Sequence, residues 1–98
     1  MSRPVRFLPI ARQELIEAVS WYETRGSGLG ESFESEVERQ VVRIRENPLQ
    51  FPVVFADIRR ARLRRFPYGL FFRIDGDDAF VIACFHASRN PQSWQDRV

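Results

Sequence analysis

Two helical stripes in succession constrain this chain more than any other feature. Over residues 11–25, Ala11, Leu15, Ala18, Val19 and Tyr22 fall on one face of a helix. Over residues 29–46, Leu29, Phe33, Val37, Val41 and Ile44 form a sharper stripe, and Asn47-Pro48 ends it because the residue before proline avoids the helical region. Between the two lies Gly26-Ser27-Gly28, whose glycines permit the backbone turns that end helices. So short a link makes an antiparallel hairpin, and both stripes then need one common apolar partner. In a chain of 98 residues that partner has to be a sheet.

The flanking segments supply the strands. Val5-Arg6-Phe7-Leu8 reads as a short first strand that Pro9 breaks. Residues 57–66 alternate, with Ala61 and Leu63 on one face and Arg60, Arg62 and Arg64 on the other. Residues 69–75 alternate again, Asp75-Gly76-Asp77-Asp78 is a hairpin turn, and residues 79–86 are apolar on both faces, which predicts an interior strand. Asn90-Pro91 opens a tail that reaches Trp94. The expectation is one α+β domain over residues 1–98, in the order β-α-α-β-β-β, with the helical hairpin on one face of a small, mainly antiparallel sheet.

Composition narrows the class. Nine Phe, two Trp and two Tyr give a small core large rigid pieces. One cysteine, Cys84, excludes an internal disulfide framework and fits a reducing compartment. No apolar run approaches the ~20 residues of a membrane helix, and no apolar signal segment follows Met1, so the chain is expected in the cytoplasm, away from membranes. There is no phosphate loop, dinucleotide fingerprint or zinc spacing, and no Ser-His-Asp pattern is recognisable around the one histidine. No metal or cofactor is expected.

All fifteen basic residues are arginine. GC-rich coding produces such a bias, and so does selection for planar, bidentate contact with phosphate or carboxylate. Residues 11–46 carry eight Glu against five Arg, whereas residues 47–98 carry eight Arg against five Asp, so the second half is basic. The run Arg59-Arg60-Ala61-Arg62-Leu63-Arg64-Arg65 concentrates that charge. In a strand, Arg60, Arg62 and Arg64 project from one face about 7 Å apart, close to a phosphate repeat. Three readings are open: a solvated face protecting an edge, a dock for acidic protein side chains, or a nucleic-acid backbone surface.

His86-Ala87-Ser88-Arg89 stands where the last strand ends, a common place for sites. A phosphodiester-cleaving site needs a base, an acid and cations. Arg64, Arg73 and Arg89 are candidate cations, His86 a candidate base or acid, and Tyr68 the one further proton carrier; Trp94 cannot serve. Alternatively His86 only caps the strand and hydrogen-bonds the tail. Trp21, off the apolar stripe, either packs on a neighbouring segment or anchors a partner.

Taken in order, several segments resemble the RelE/ParE toxins of type II toxin–antitoxin systems, over nearly the full length: Ala11, Glu14-Leu15, Ala18 and Trp21-Tyr22; Gly28-Leu29-Gly30 and Phe33; Ile44 and Asn47-Pro48; Phe51-Pro52; Arg59-Arg60, Leu63 and Arg65-Phe66-Pro67-Tyr68; and His86, Arg89, Pro91 and Trp94. The resemblance implies a toxin held by an antitoxin from the adjacent gene, which wraps an extended or helical segment over the sheet and helices. It implies one of two targets. RelE-like members cut messenger RNA in the ribosome, using basic side chains and a Tyr or His near the C-terminus; ParE-like members inhibit DNA gyrase by binding it and are not known as enzymes. Trp94 stands about where a catalytic Tyr of the first branch belongs, and there is no lysine cluster. His86-x-x-Arg89-x-Pro91 looks more like the ParE branch. The residues expected to meet a target or an antitoxin are Arg60, Arg62, Arg64, Arg65, Arg73, His86, Arg89 and Trp94. A non-toxic interaction module is the further alternative.

Overall fold

The computed structural model describes residues 3–98. Met1 and Ser2, where the reading of a missing signal segment begins, lie outside the described residues. Strand β1 (Val5–Phe7) leads into helix α1 (Pro9–Arg25) and helix α2 (Leu29–Glu46). A single 3₁₀ turn (Pro48–Gln50) precedes strands β2 (Val53–Phe55), β3 (Ile58–Arg62), β4 (Tyr68–Asp75) and β5 (Asp78–His86), and a short helix α3 (Gln92–Gln95) follows. The five strands form one sheet in the order β1-β5-β4-β3-β2, with β1 parallel to β5 and the remaining pairs antiparallel.

The expected α+β architecture is present, with two differences in the sheet. Val53-Val54-Phe55, a β-branched and aromatic run, adds an edge strand ahead of the anticipated one. Ala56, at φ 51°, makes the tight reversal into β3. The strand expected over 57–66 ends at Arg62, so the arginine run is only partly strand. Residues 63–67 form a loop held from above by two buried polar side chains of α2. One Glu36 oxygen accepts the Arg64 N–H at 3.1 Å, and the Gln40 amide donates to the Arg62 carbonyl.

The helices join by a device the glycines permit. Gly28 is left-handed (φ 88°) and offers α2 no side-chain cap. The Glu23 carboxylate from α1 serves instead, accepting the N–H groups of Gly28 at 3.1 Å and Gly30 at 3.0 Å. Gly30 also lets the helices approach, since a Cβ there would lie 2.7 Å from the Val19 carbonyl oxygen.

Each face of the sheet carries a core. Beneath the helices, Phe33 is fully buried, with the rings of Tyr22, Phe66 and Tyr68 at 5.3, 5.1 and 5.0 Å. On the opposite face, Ile58, Phe71, Ile82, Ala83, Phe85 and Trp94 form a smaller cluster under the C-terminal tail. The two sets interlock through a β-bulge. Phe71 pairs with Ala83 and Phe72 with Val81, leaving Ile82 as the extra residue in β5. Ala79 and Val81 face the helices before the bulge and Cys84 does so after it. The phase of the strand therefore changes, and His86 ends beside Tyr68.

Candidate functional site

The ends of β3 and β5, the start of β4 and the loops beyond them surround a groove of about 680 Å³ on the face away from the helices. Its walls include Arg60, Arg62, Arg64, Arg65 and Arg89 and, among the described residues, no carboxylate. Apolar residues, among them Val54, Phe71 and Trp94, make up much of the remainder.

Among the described residues, four arginines are in ion pairs with carboxylates, and of these only Arg65 lines the groove. Arg6 meets Asp78 at 3.1 Å, Arg97 meets Glu14 at 2.7 Å, Arg73 meets Asp57 at 3.9 Å, and Arg65 meets Glu36 at 3.4 Å. Among the described residues, no carboxylate is in ion-pair contact with Arg60, Arg62, Arg64 or Arg89. Arg89 instead lies 4.5 Å over the Phe85 ring. The groove therefore concentrates positive charge on a partly apolar surface.

Arg60 and Arg62 project from the expected side of β3, with Ala61 beneath the helices. Arg64 reaches the groove from the loop rather than from the strand. Arg59, to which the alternation assigned no role, points the other way and donates to the Phe51 carbonyl at 2.7 Å.

His86 and Tyr68 stand on a ridge. Both line the groove, and both also line a smaller cavity of about 380 Å³ against α1, walled by Glu17 and Trp21 among others. Their rings meet edge to face at 5.1 Å. The backbone N–H of Ser88 donates to His86 Nδ1 at 3.0 Å, so in the neutral ring the proton sits on Nε2. In that form His86 presents a donor, not a base. Burial pushes the Tyr68 phenol above its usual range, reinforced by the Tyr22 hydroxyl, so at neutral pH it too is a donor.

Two expected site residues lie elsewhere in role or place. Arg73 is on the strand next to β5, but it pairs with Phe80, while His86 pairs with Tyr68. Five residues of strand, about 16 Å, separate it from that end, and it does not line the groove. Trp94 is 3% exposed, stacked on Phe71 at 4.4 Å and edge-on to Phe55 at 5.8 Å. It is a wall of the groove, not a side chain free to reach a partner. Trp21 is half exposed beneath the Arg25 guanidinium, 4.3 Å from its ring.

Glu36 and Gln40, which position the arginine loop, carry no signal in the arginine run itself. Their trace is in the helix: with Phe33, Val37 and Ile44 they occupy one buried stripe, and two polar residues on such a stripe need partners. Among the described residues, no three His, Cys, Asp or Glu side chains gather as a metal site requires. No helix there is long and apolar enough to cross a membrane.

Comparison with solved structures places the same fold in known toxins. The chain is similar to a structure of the chromosomal ParDE toxin–antitoxin system of P. aeruginosa, at 16% identity and a TM-score of 0.72, covering 89% of this chain and 98% of that one. It is similar to the E. coli toxin RelE in its free state, as a double mutant, at 19% identity and a TM-score of 0.65, covering 99% and 97%. It is also similar to a chain of the RelBE2 toxin–antitoxin complex of Mycobacterium tuberculosis, at 22% identity and a TM-score of 0.59, covering 88% and 99%. No curated protein sequence matches the chain. The sequence profile of the ParE toxin of the type II toxin–antitoxin system parDE matches residues 5–91, nearly the whole length. The chain therefore belongs to the ParE toxin family of type II toxin–antitoxin systems.

Proposed function

We propose that this toxin arrests growth in the cytoplasm by binding DNA gyrase through the arginine groove, performing no chemistry of its own, and that an antitoxin from the adjacent gene silences it by covering the same groove. The observation that carries the reading is a groove rich in cations and poor in proton acceptors. Among the described residues, Arg60, Arg62, Arg64 and Arg89 have no carboxylate partners, while the two proton carriers at the rim, His86 and Tyr68, both present hydrogen atoms. Cutting a phosphodiester needs a base for the attacking hydroxyl as well as cations. Binding needs only the cations and the apolar walls.

Gyrase supercoiling with the purified chain tests this. Inhibition should appear at micromolar toxin and fade in an Arg62→Ala/Arg64→Ala/Arg89→Ala variant that keeps the wild-type circular dichroism. Full supercoiling activity at that concentration removes gyrase as the target.

One contact favours a second reading, a ribosome-dependent endoribonuclease. The Tyr68–His86 pair sits at the groove rim beside unpaired arginines, and a rearranged Ser88 would free Nδ1 to act as a base. That reading predicts codon-phased cuts in translated messages, lost in His86→Ala. Intact transcripts during growth arrest exclude it.

A further inference from the structure

Among the groove arginines, Arg60 is unlike the others. Its Nε is buried and, among the described residues, has no hydrogen-bond partner. A buried donor left unpaired is unfavourable, and proteins rarely keep one without a use for it. The surroundings hold the side chain in that position. Its backbone N–H donates to the Pro52 carbonyl at 3.0 Å, fixing the start of the stem on β3. The stem then crosses Gly69 on β4, where a Cβ would come within 3.3 Å of Arg60 Cγ and 3.5 Å of the Phe71 ring. Glycine at this strand position gives the guanidinium stem its path, at the expense of strand propensity.

We propose that Arg60 is the anchor for a carboxylate side chain of an acidic, partly apolar segment of a partner protein, which enters the groove, pairs with the guanidinium and draws it out of the buried position in which Nε has no acceptor. Choosing the antitoxin as the source of that segment rests on the neutralised-toxin reading. A carboxylate matches the planar edge of a guanidinium with two parallel hydrogen bonds. The walls favour a peptide over a nucleic acid. Single-stranded nucleic acids bind through exposed aromatic faces on which bases stack. Here Phe71, Phe85 and Trp94 are 9%, 2% and 3% exposed, and Phe71 and Trp94 stack on each other. The groove offers bases no platform, while Val54 on edge strand β2 is 36% exposed and offers apolar side chains a contact.

Arg60→Met tests this, because it keeps most of the stem and removes the unpaired N–H. The probe is a short labelled peptide in which glutamate alternates with leucine; its glutamine counterpart and an oligothymidylate are the comparisons, and Arg39→Met on the outer face of α2 is the control. The expected result is a free protein whose Tm is not lowered, together with an affinity for the glutamate peptide reduced about tenfold or more and unchanged in Arg39→Met. A lowered Tm with undiminished peptide affinity would make Arg60 a packing stem and overturn the proposal. Equal binding of the glutamine peptide, or tighter binding of the oligothymidylate, overturns it as well. The supercoiling result is independent: a chain that leaves gyrase active but holds the peptide through Arg60 keeps this inference and loses the target, and a gyrase inhibitor whose peptide affinity is unchanged by Arg60→Met does the reverse.

Discussion

The open edge of β5 gives the sharpest test of how this fold holds together. Strand β1 pairs with β5 only over residues 79–81, with Leu8 N–H adding a bond to the Val81 carbonyl. Beyond that, no strand among the described residues lies beside the β5 edge. Glu14 on α1 accepts the Cys84 N–H at 3.1 Å, and Arg97 donates to the Ile82 carbonyl at 2.9 Å. The two side chains meet in a bidentate pair at 3.0 and 2.7 Å. They are only 12% and 16% exposed, so they behave mostly as a buried pair. Removing one partner of such a pair costs about 3–5 kcal/mol; the remaining water contact lowers that, so about 3 kcal/mol is expected for Glu14→Ala. A chain of this size has a total stability of about 5–15 kcal/mol, and the loss should lower Tm by roughly 10–20 °C. Glu14→Gln keeps an acceptor for Cys84 N–H and loses only the charge, so its cost should be about half. Urea denaturation of Glu14→Ala, Arg97→Ala and the double variant measures the coupling, expected to exceed about 1 kcal/mol. Hydrogen exchange at the Cys84 amide should accelerate in Glu14→Ala. Additive single-site losses, with that amide still protected, would mean that something other than this pair closes the edge.

Two further outcomes follow from the packing. Gly30→Ala forces a Cβ to within 2.7 Å of the Val19 carbonyl oxygen, a backbone atom that cannot step aside alone; it should cost about 1–3 kcal/mol in a thermal melt, and an unchanged Tm would mean the helices slide apart freely. Burial raises the pKa of Cys84 to about 12 and of Tyr68 and Tyr22 above their usual 10.0. Groups whose pKa is higher folded than unfolded favour the native state fully below the unfolded value and lose that contribution as pH climbs through the folded one. Stability should therefore hold near neutrality and fall above about pH 9 as the buried Cys84 thiol loses its advantage, by up to about 1.4 kcal/mol per pH unit, with the two tyrosines adding in the same direction above about pH 10; a flat denaturation midpoint up to pH 11 would contradict it.

How far the sequence reached depends on what each residue's neighbours are. The stripes of α1 and α2 are set by residues a turn apart, and they appear where the periodicity placed them. Arg60 and Arg62 alternate with Ala61 because a strand allows nothing else. Arg73 could have been placed correctly: the Asp75–Asp78 turn fixes the register, and counting back from it brings Arg73 opposite Phe80, far from His86. His86 could not have been. Its position beside Tyr68 depends on the bulge at Ile82, which resolves how two cores share one strand and leaves no local mark. The same holds for Trp94, whose burial is decided by Phe71 and Phe55, both distant in sequence. Glu14 and Arg97, 83 positions apart, meet only because the sheet leaves an edge between them.

The distribution of partners among the arginines links this architecture to the proposed function. Where an arginine closes a structural gap, at Arg97 on the β5 edge or Arg59 on the Phe51 carbonyl, the fold supplies an acceptor. Across the groove, among the described residues, it supplies no carboxylate to Arg60, Arg62 and Arg64 and leaves Arg60 Nε unpartnered. Yet it spends two buried polar residues of α2, Glu36 and Gln40, on holding the backbone of Arg62 and Arg64 in place. A face so firmly positioned and so incompletely neutralised is less stable alone than with a ligand that brings the missing acceptors. Any such ligand must stabilise the folded chain by mass action, with Tm rising as its free concentration passes Kd. On this argument, silencing by an acidic antitoxin segment and stabilisation of the toxin are one event, driven by the same arginines that would engage the target.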